Sequence, residues 1–445
     1  MTENPVALLA ERLTDPVALA AQVAAGQTPE LAETRSLWHP QSLADGHAGV
    51  ALLLAALAHT DPDAARATHA HLTAAVTGVT RPAREGLYAG LPAVAFAART
   101  AVTKPGEYAA LLTKLDAQVA LLARRLVEED TPRLAPGTTG AMGATGATST
   151  RTAGARMAGY DVVAGLSGLG RLLLAAGPEH RGITELVLTH LVALTHPVTE
   201  PGGRTVPGWW TADPILLSEP QGIPGGHFNV GLAHGIPGPL ALLSLAHRAG
   251  VRVPGQERAI RTIAEWLLAR RSPDGVGWPN IVPLDAELTA ASGGRPELAE
   301  ARTGWCYGTP GVARALQLAA LALKEPDWNR QAVTAVARAC RRGDFADPTL
   351  CHGLAGLTTI VALMAGEPGG EELATLLPGL TTSLAAAADP SHPFLWPAAA
   401  PGVGTVVHRP GFLDGAAGAA LALHHATNPT APLGELPWQA ALLLC

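Results

Sequence analysis

Asp45-Gly46-His47-Ala48-Gly49, close to the amino terminus, comes back as Asp414-Gly415-Ala416-Ala417-Gly418 close to the carboxyl terminus. Five further copies lie between them: Ala89-Gly90-Leu91-Pro92-Ala93, Ala164-Gly165-Leu166-Ser167-Gly168, His234-Gly235-Ile236-Pro237-Gly238, Tyr307-Gly308-Thr309-Pro310-Gly311 and His352-Gly353-Leu354-Ala355-Gly356. Each opens an Ala/Leu-rich stretch such as Val50-Ala51-Leu52-Leu53-Leu54. Self-similarity of this kind sets the architecture before any single residue is read.

The first glycines are separated by 44, 75, 70, 73, 45 and 62 residues. A step near 45 suits two helices of roughly 15 residues each with their connections. The stretch after each glycine phrase is apolar all round and is expected to be an inner helix, buried on both sides. The segment before the next phrase carries one polar face. In Gln256 to Leu268, Ile260, Ile263, Ala264 and Leu267 recur at helical spacing while Arg258, Arg261 and Glu265 point away from them. Seven such hairpins form an all-α fold and can close into an α/α toroid, which removes the exposed ends of an open solenoid. The first repeat is then expected beside the seventh. The glycines permit a tight turn at each inner-helix start, and Pro237 and Pro310 suit a first helical turn. Side chains around the seven helix starts would converge at one end.

Composition agrees. Of the 445 residues 48% are hydrophobic, 15% charged and 4% aromatic, which disfavours a β-sandwich. A net charge of −6 gives no bulk attraction to nucleic acid or to an anionic membrane. Four cysteines do not make a disulfide framework in a chain this long. No signal peptide opens the chain and no apolar run is long enough to span a bilayer; Leu354 to Gly366 reads as a buried helix. The cytoplasm is the default location. Residues 1–445 are expected to form one domain, with a Gly/Thr/Ala loop at about 135–159. The tryptophan-bearing insertions His196 to Asn229, Ser272 to Glu300 and Asp389 to Pro410 are expected to serve as functional rims or lids.

Against the shared background, two repeats differ. Cys306 precedes the fifth copy by one residue, and Cys351-His352 opens the sixth. A repeat accounts for the glycines but not for two cysteines and a histidine in equivalent places. Two thiolates and an imidazole compose a zinc site that leaves a fourth tetrahedral position open. Cys340 and Cys445 lack that register and read as a packing cysteine and a tail residue. His234 stands at the start of the fourth copy, where it suits proton transfer, and Asp161 precedes the third, where a carboxylate could orient an imidazole. Arg302 lies four residues before Cys306. His47, His227, His392 and His408 read as structural.

These phrases resemble the lanthionine synthetase C-like family, the lanthipeptide cyclases. The resemblance rests on Tyr160-Asp161-Val162-Val163-Ala164-Gly165, Gly231-Leu232-Ala233-His234-Gly235, Arg302 through Trp305-Cys306-Tyr307-Gly308 and Cys351-His352-Gly353, and it spans nearly the whole chain. It implies one zinc ion per chain, held by Cys306, Cys351 and His352. It further implies an acid/base pair at Asp161 and His234, and accessory active-site positions at Arg302 and Tyr307. The implied reaction adds cysteine thiols of a dehydrated precursor peptide, carrying a leader, to dehydroalanine or dehydrobutyrine. Addition of a small thiol such as glutathione, or a non-catalytic peptide-binding scaffold, are the other readings. No Asp-rich motif of a toroidal isoprenoid cyclase is present. The 75-residue step between Gly90 and Gly165 leaves little room for the small β-containing insertion of some members. No dehydration region precedes the repeats, so a separate dehydratase, and an exporter, are expected partners of a monomer.

Overall fold

The computed structural model describes residues 4–26, 38–77, 85–134, 154–214, 223–272, 277–294, 296, 298, 303–343, 345, 347–399 and 406–445. Among them, an α-helix begins at each of the seven glycine phrases: α3 (His47–Leu57), α5 (Leu91–Thr100), α7 (Leu166–Ala175), α9 (Pro237–Arg248), α12 (Thr309–Leu323), α14 (Leu354–Ala365) and α16 (Ala416–Thr427). These inner helices are buried along most of their length. Six of them are followed by a helix with a polar face: α4 (Pro62–Thr77), α6 (Ala109–Asp130), α8 (Arg181–Ala193), α10 (Gln256–Ala269), α13 (Pro326–Arg342) and α15 (Glu371–Ala386). Two short helices, α1 (Pro5–Arg12) and α2 (Pro16–Ala25), precede the first repeat, and α11 (Leu284–Ala291) sits in the loop before the fifth.

The repeated turn has a specific task. A helix leaves its first four N–H groups without intrahelical partners, and no side chain caps these inner helices. Instead the preceding loop folds back and offers its own carbonyls. The residue six places before the first glycine accepts from the N–H of the residue after it: His47 donates to Pro40, Ile236 to Asn229, Leu354 to Asp347 and Ala416 to Arg409, at 2.8 to 3.0 Å. The second glycine closes the turn from inside, Gly49 donating to Ser42 and Gly356 to Thr349. That wrap leaves no room for a side chain. A Cβ on Gly353 would stand 2.2 Å from the Asp347 carbonyl oxygen, and one on Gly418 1.9 Å from that of Phe412.

Backbone hydrogen bonds also tie most of the turns to the next repeat. Val162 donates to Ala233, Ala233 to Cys306, Trp305 to Cys351, Cys351 to Leu413, Leu413 to Ala44 and Leu43 to Tyr88, at 2.9 to 3.3 Å. The chain divides into two compact units. One comprises Met1–Val119, Thr303–Trp305 and Val336–Cys445; the other Ala120–Arg302 and Cys306–Ala335. In the second, α9 packs between α7 and α12. In the first, α14 packs on α16, α16 on α3 and α3 on α5, so the seventh inner helix lies beside the first. Among the described residues the seventh repeat has only the 3₁₀ helix Trp438–Leu442 and no second α-helix of its own in the outer place. That place is taken by α1, which packs on α16, and the Arg12 guanidinium fastens it to the carbonyls of Pro390, His392 and Pro393 at 2.7 to 3.1 Å.

The tryptophans of the long insertions face the core. Trp209, Trp210, Trp278 and Trp396 are buried to 2% exposure or less. Trp278 donates through its indole N–H to the Leu267 carbonyl at 2.8 Å and Trp396 to that of Leu384 at 3.0 Å. A large aromatic with one polar handle is a good anchor for a loop, and here it pins the insertions to the ends of outer helices. Three two-stranded antiparallel sheets organise them: β1 (Pro197–Thr199) with β2 (Thr205–Pro207), β3 (His227–Asn229) with β4 (Ile281–Pro283), and β5 (Ala398–Ala399) with β6 (Val406–Val407). Most of the loop expected at 135–159 lies outside the described residues; Met157–Gly159 form a single 3₁₀ turn. The described part of the step from Gly90 to Gly165 contains helices and no strand. No helix among the described residues is long and apolar enough to cross a membrane.

Candidate active site

Trp305 donates its backbone N–H to the Cys351 carbonyl at 2.9 Å, and Cys306 is the next residue along the chain. The tie between the fifth and sixth turns therefore brings the two cysteines together, and His352 follows Cys351 directly. The Sγ atoms of Cys306 and Cys351 and one ring nitrogen of His352 all lie within 4.8 Å of one another, each on a half-buried residue. Ligand atoms around a tetrahedral zinc ion stand about 3.8 Å apart, so small side-chain rotations would close this group on a metal. Thiolate and imidazole donors select zinc over the oxygen-seeking cations.

The ring of His352 is held in place. Its Nε2 lies 2.9 Å from Oδ2 of Asp347, whose side chain is only 4% exposed, which leaves Nδ1 as the nitrogen that could ligate a metal. A carboxylate behind a ligand histidine fixes the tautomer and raises its basicity. Asp347 is fixed in turn by Thr349, whose N–H and hydroxyl both reach Oδ1, at 2.8 and 2.6 Å. Burial pushes the Asp347 carboxyl up, but the bonds from His352 and Thr349 outweigh it and hold the group below the usual carboxylate range. A second carboxylate, Oδ1 of Asp414, stands 3.8 Å from Nδ1, and Asp414 also faces the Arg409 guanidinium at 3.5 Å. The residues present fit a zinc ion.

His234 sits one residue beyond Ala233, whose N–H donates to the Cys306 carbonyl at 3.3 Å. Its Nδ1 lies 2.6 Å from Oδ2 of Asp161. Asp161 is 4% exposed and its Oδ1 accepts the Ala164 N–H at 2.7 Å, so the carboxylate cannot turn away. The ring of Tyr307 is 5.9 Å from that of His234, and its hydroxyl accepts a hydrogen bond from Nδ2 of Asn229 at 2.9 Å. The structure thus brings together His234, Asp161 and Tyr307 around the turn that carries Cys306. Arg302 lies outside the described residues.

The remaining histidines and cysteines do other work. His47 and His71 meet at 3.0 Å between their Nδ1 atoms beneath Trp38, and His71 Nε2 bonds the Leu13 carbonyl at 2.7 Å. Burial lowers both to about 4, and for His47 the neighbouring His71 adds to the effect. His227 is fully buried in β3, neither ring nitrogen has a hydrogen-bond partner among the described residues, and burial lowers it to about 4 as well. His392 and His408 stack on each other at 4.8 Å. Burial pushes the Cys340 thiol up to about 11, which makes it a poor nucleophile.

Asp347 and Asn229 are not legible as site residues from motifs alone. Both occupy the position six before the first glycine, which in the other copies is Pro40, Arg84, Gly159, Arg302 and Arg409. Aligning the repeats on their glycines would have shown that this position is a carboxylate or an amide only in the two copies that open with a histidine.

A profile of lanthionine synthetase C-like proteins matches residues 37–443. Nisin biosynthesis protein NisC of Lactococcus lactis subsp. lactis is 30% identical over 210 residues, which cover 46% of this chain and 49% of that protein. The match thus spans about half the length of that relative. A solved structure of nisin cyclase superposes with a TM-score of 0.73 at 20% identity and covers 96% of both chains. That likeness shows the fold, a helical toroid.

Proposed function

The chain belongs to the lanthionine synthetase C-like family, and on that premise we propose that it is a zinc-dependent lanthipeptide cyclase. Its substrate is a dehydrated precursor peptide, in which cysteine thiols add to dehydroalanine or dehydrobutyrine to give thioether rings. The observation that carries this reading is the donor group Cys306, Cys351 and His352, with the Asp161–His234 pair standing beside the turn that bears Cys306. Three protein ligands leave one tetrahedral position for substrate, where a structural site would close with four.

A free cysteine thiol is mostly protonated at neutral pH and a weak nucleophile. Zinc held by the three ligands would supply the Lewis acidity that makes a substrate thiol give up its proton. Asp161 holds the Nδ1–H of His234, so Nε2 is the basic nitrogen and takes that proton. The substrate sulfur then bonds to the β-carbon of the dehydro residue, and the displaced electron pair becomes an enolate. His234 returns its proton to the α-carbon, so the product has the same atoms as the reactants. The developing negative charge on the enolate oxygen needs a donor. Tyr307, with its ring near His234, is placed to give one, and Arg302 would add a positive charge.

The test is to incubate the zinc-loaded protein with a dehydrated precursor peptide. Cyclisation removes free thiols and leaves the peptide mass unchanged. A mass increase by one glutathione, with the peptide thiols still alkylatable, would assign the small-thiol reading instead. No change in either readout would leave the chain a peptide-binding scaffold.

A further inference from the structure

Asn229 ends β3 and is 1% exposed, and its carbonyl and both polar atoms of its side chain are engaged. Its backbone carbonyl accepts the Ile236 N–H at 3.0 Å and so caps α9, the helix that follows His234. Its Oδ1 accepts the Gly231 N–H at 3.0 Å. An amide whose oxygen faces an N–H donor has its orientation decided, because the other end must carry the two hydrogens. Nδ2 is therefore a donor, and what it donates to is the hydroxyl oxygen of Tyr307 at 2.9 Å. The Tyr307 ring has little freedom to evade this bond: a Cβ on Gly231 would stand 2.6 Å from two of its ring carbons and 2.5 Å from the Cys306 carbonyl oxygen.

We infer that Asn229 is a positioning residue for the cyclisation, one that compels Tyr307 to act as a hydrogen-bond donor towards the enolate oxygen of the substrate. A phenol has one hydrogen. With its oxygen accepting from Asn229, that hydrogen is directed elsewhere, and a hydroxyl that accepts one bond donates the next more strongly. The side chain six residues before the glycine thus sets the polarity of a group in the neighbouring repeat without touching substrate. This inference rests on the cyclase reading for its catalytic consequence, but not for the orientation of the hydroxyl.

Asn229→Asp is the sharpest test, because it keeps the shape and removes the donor. The carboxylate would still accept from Gly231, and it would now also accept from Tyr307, drawing the phenolic hydrogen inwards. We expect kcat to fall on the order of tenfold to a hundredfold, with zinc content and KM little changed. In the Tyr307→Phe background the same substitution should add nothing further, because the group it acts through is gone. Equal slowing by Asn229→Asp in both backgrounds would overturn the inference. A second readout does not depend on activity: the ¹³Cζ resonance of Tyr307, assigned by its loss in Tyr307→Phe, should move when the bond to its oxygen reverses. An unmoved resonance in folded Asn229→Asp protein overturns the orientation itself. Should that variant not fold, Asn229→Ser gives the same two readouts, with a hydroxyl too short to reach Tyr307. If wild-type protein forms no thioether yet the resonance moves, the cyclase reading fails and the orientation stands.

Discussion

His234 and His352 occupy the same place in their repeats, one residue before the first glycine, and each leans on an aspartate. They are used in opposite senses. His352 is held through Nε2 by Asp347, five residues earlier in its own loop, and so presents Nδ1 to the two cysteines. His234 is held through Nδ1 by Asp161, which comes from the preceding repeat, and so presents Nε2. The place that supplies Asp347 in the sixth repeat supplies Asn229 in the fourth, and Asn229 turns away from His234 to Tyr307. One backbone frame, with its orienting carboxylate moved from the same loop to a neighbouring one, turns Nδ1 outwards in one repeat and Nε2 in another, which the proposed cyclase would use as a ligand and as a proton carrier.

Four outcomes would break or sharpen that contrast. Cys351→Ala should strip the zinc and cut cyclisation on the order of a thousandfold or more; full stoichiometric zinc in this variant would remove the ligand half of the comparison. His234→Asn should slow cyclisation by roughly a hundredfold to ten-thousandfold with zinc content unaltered, and metal analysis beside a thiol-consumption assay separates the two effects. The aspartates should then divide in the same way. Asp347→Asn is expected to weaken zinc binding by roughly tenfold to a hundredfold, read by competition with a chelator, whereas Asp161→Asn should lower kcat and leave zinc affinity intact. Loss of zinc from Asp161→Asn would show that the two pairs are not distinct.

The smallest expected effect concerns a histidine whose burial outweighs the pull of the nearby Asp213 charge. His227 is buried and lowered to about 4, so the unfolded chain takes up a proton below about 6.5 while the folded protein does not. Its stability contribution is intact above that pH and declines as pH falls from 6.5 towards 4. At pH 5 the deficit from this residue is about 2 kcal/mol. Urea midpoints measured at pH 7 and pH 5 should differ less in His227→Leu than in the wild-type protein.

The helix starts and the grouping of Cys306, Cys351 and His352 were legible in the sequence because both are local. A glycine phrase before an apolar run needs no long-range information, and Cys306 and Cys351-His352 stand out once the repeats are aligned. The staples between turns were not legible. They use backbone groups, and any sequence could supply the carbonyl of Cys351 or Leu413. Asp347 and Asn229 escaped for a related reason: their roles follow from a loop that doubles back on its own helix, a path that apolar periodicity does not encode. The burial of the insertion tryptophans was not legible because an aromatic among glycines and prolines looks like an exposed rim, whereas the indole N–H groups of Trp278 and Trp396 bond carbonyls of α10 and α15.

The placement of α1 against α16 has a consequence for how the protein is made. Roughly four hundred residues separate the two helices, so this contact has the longest loop-closure distance the chain can offer, and contacts of that kind form late. During synthesis α1 emerges before the repeats, and its packing on α16 must wait until the final repeat leaves the ribosome. Two chains finishing close together would each present an empty seventh-repeat slot and a waiting helix. Exchange of α1 between copies would then yield an intertwined dimer with native contacts throughout, favoured by high expression and resolved by dilute refolding.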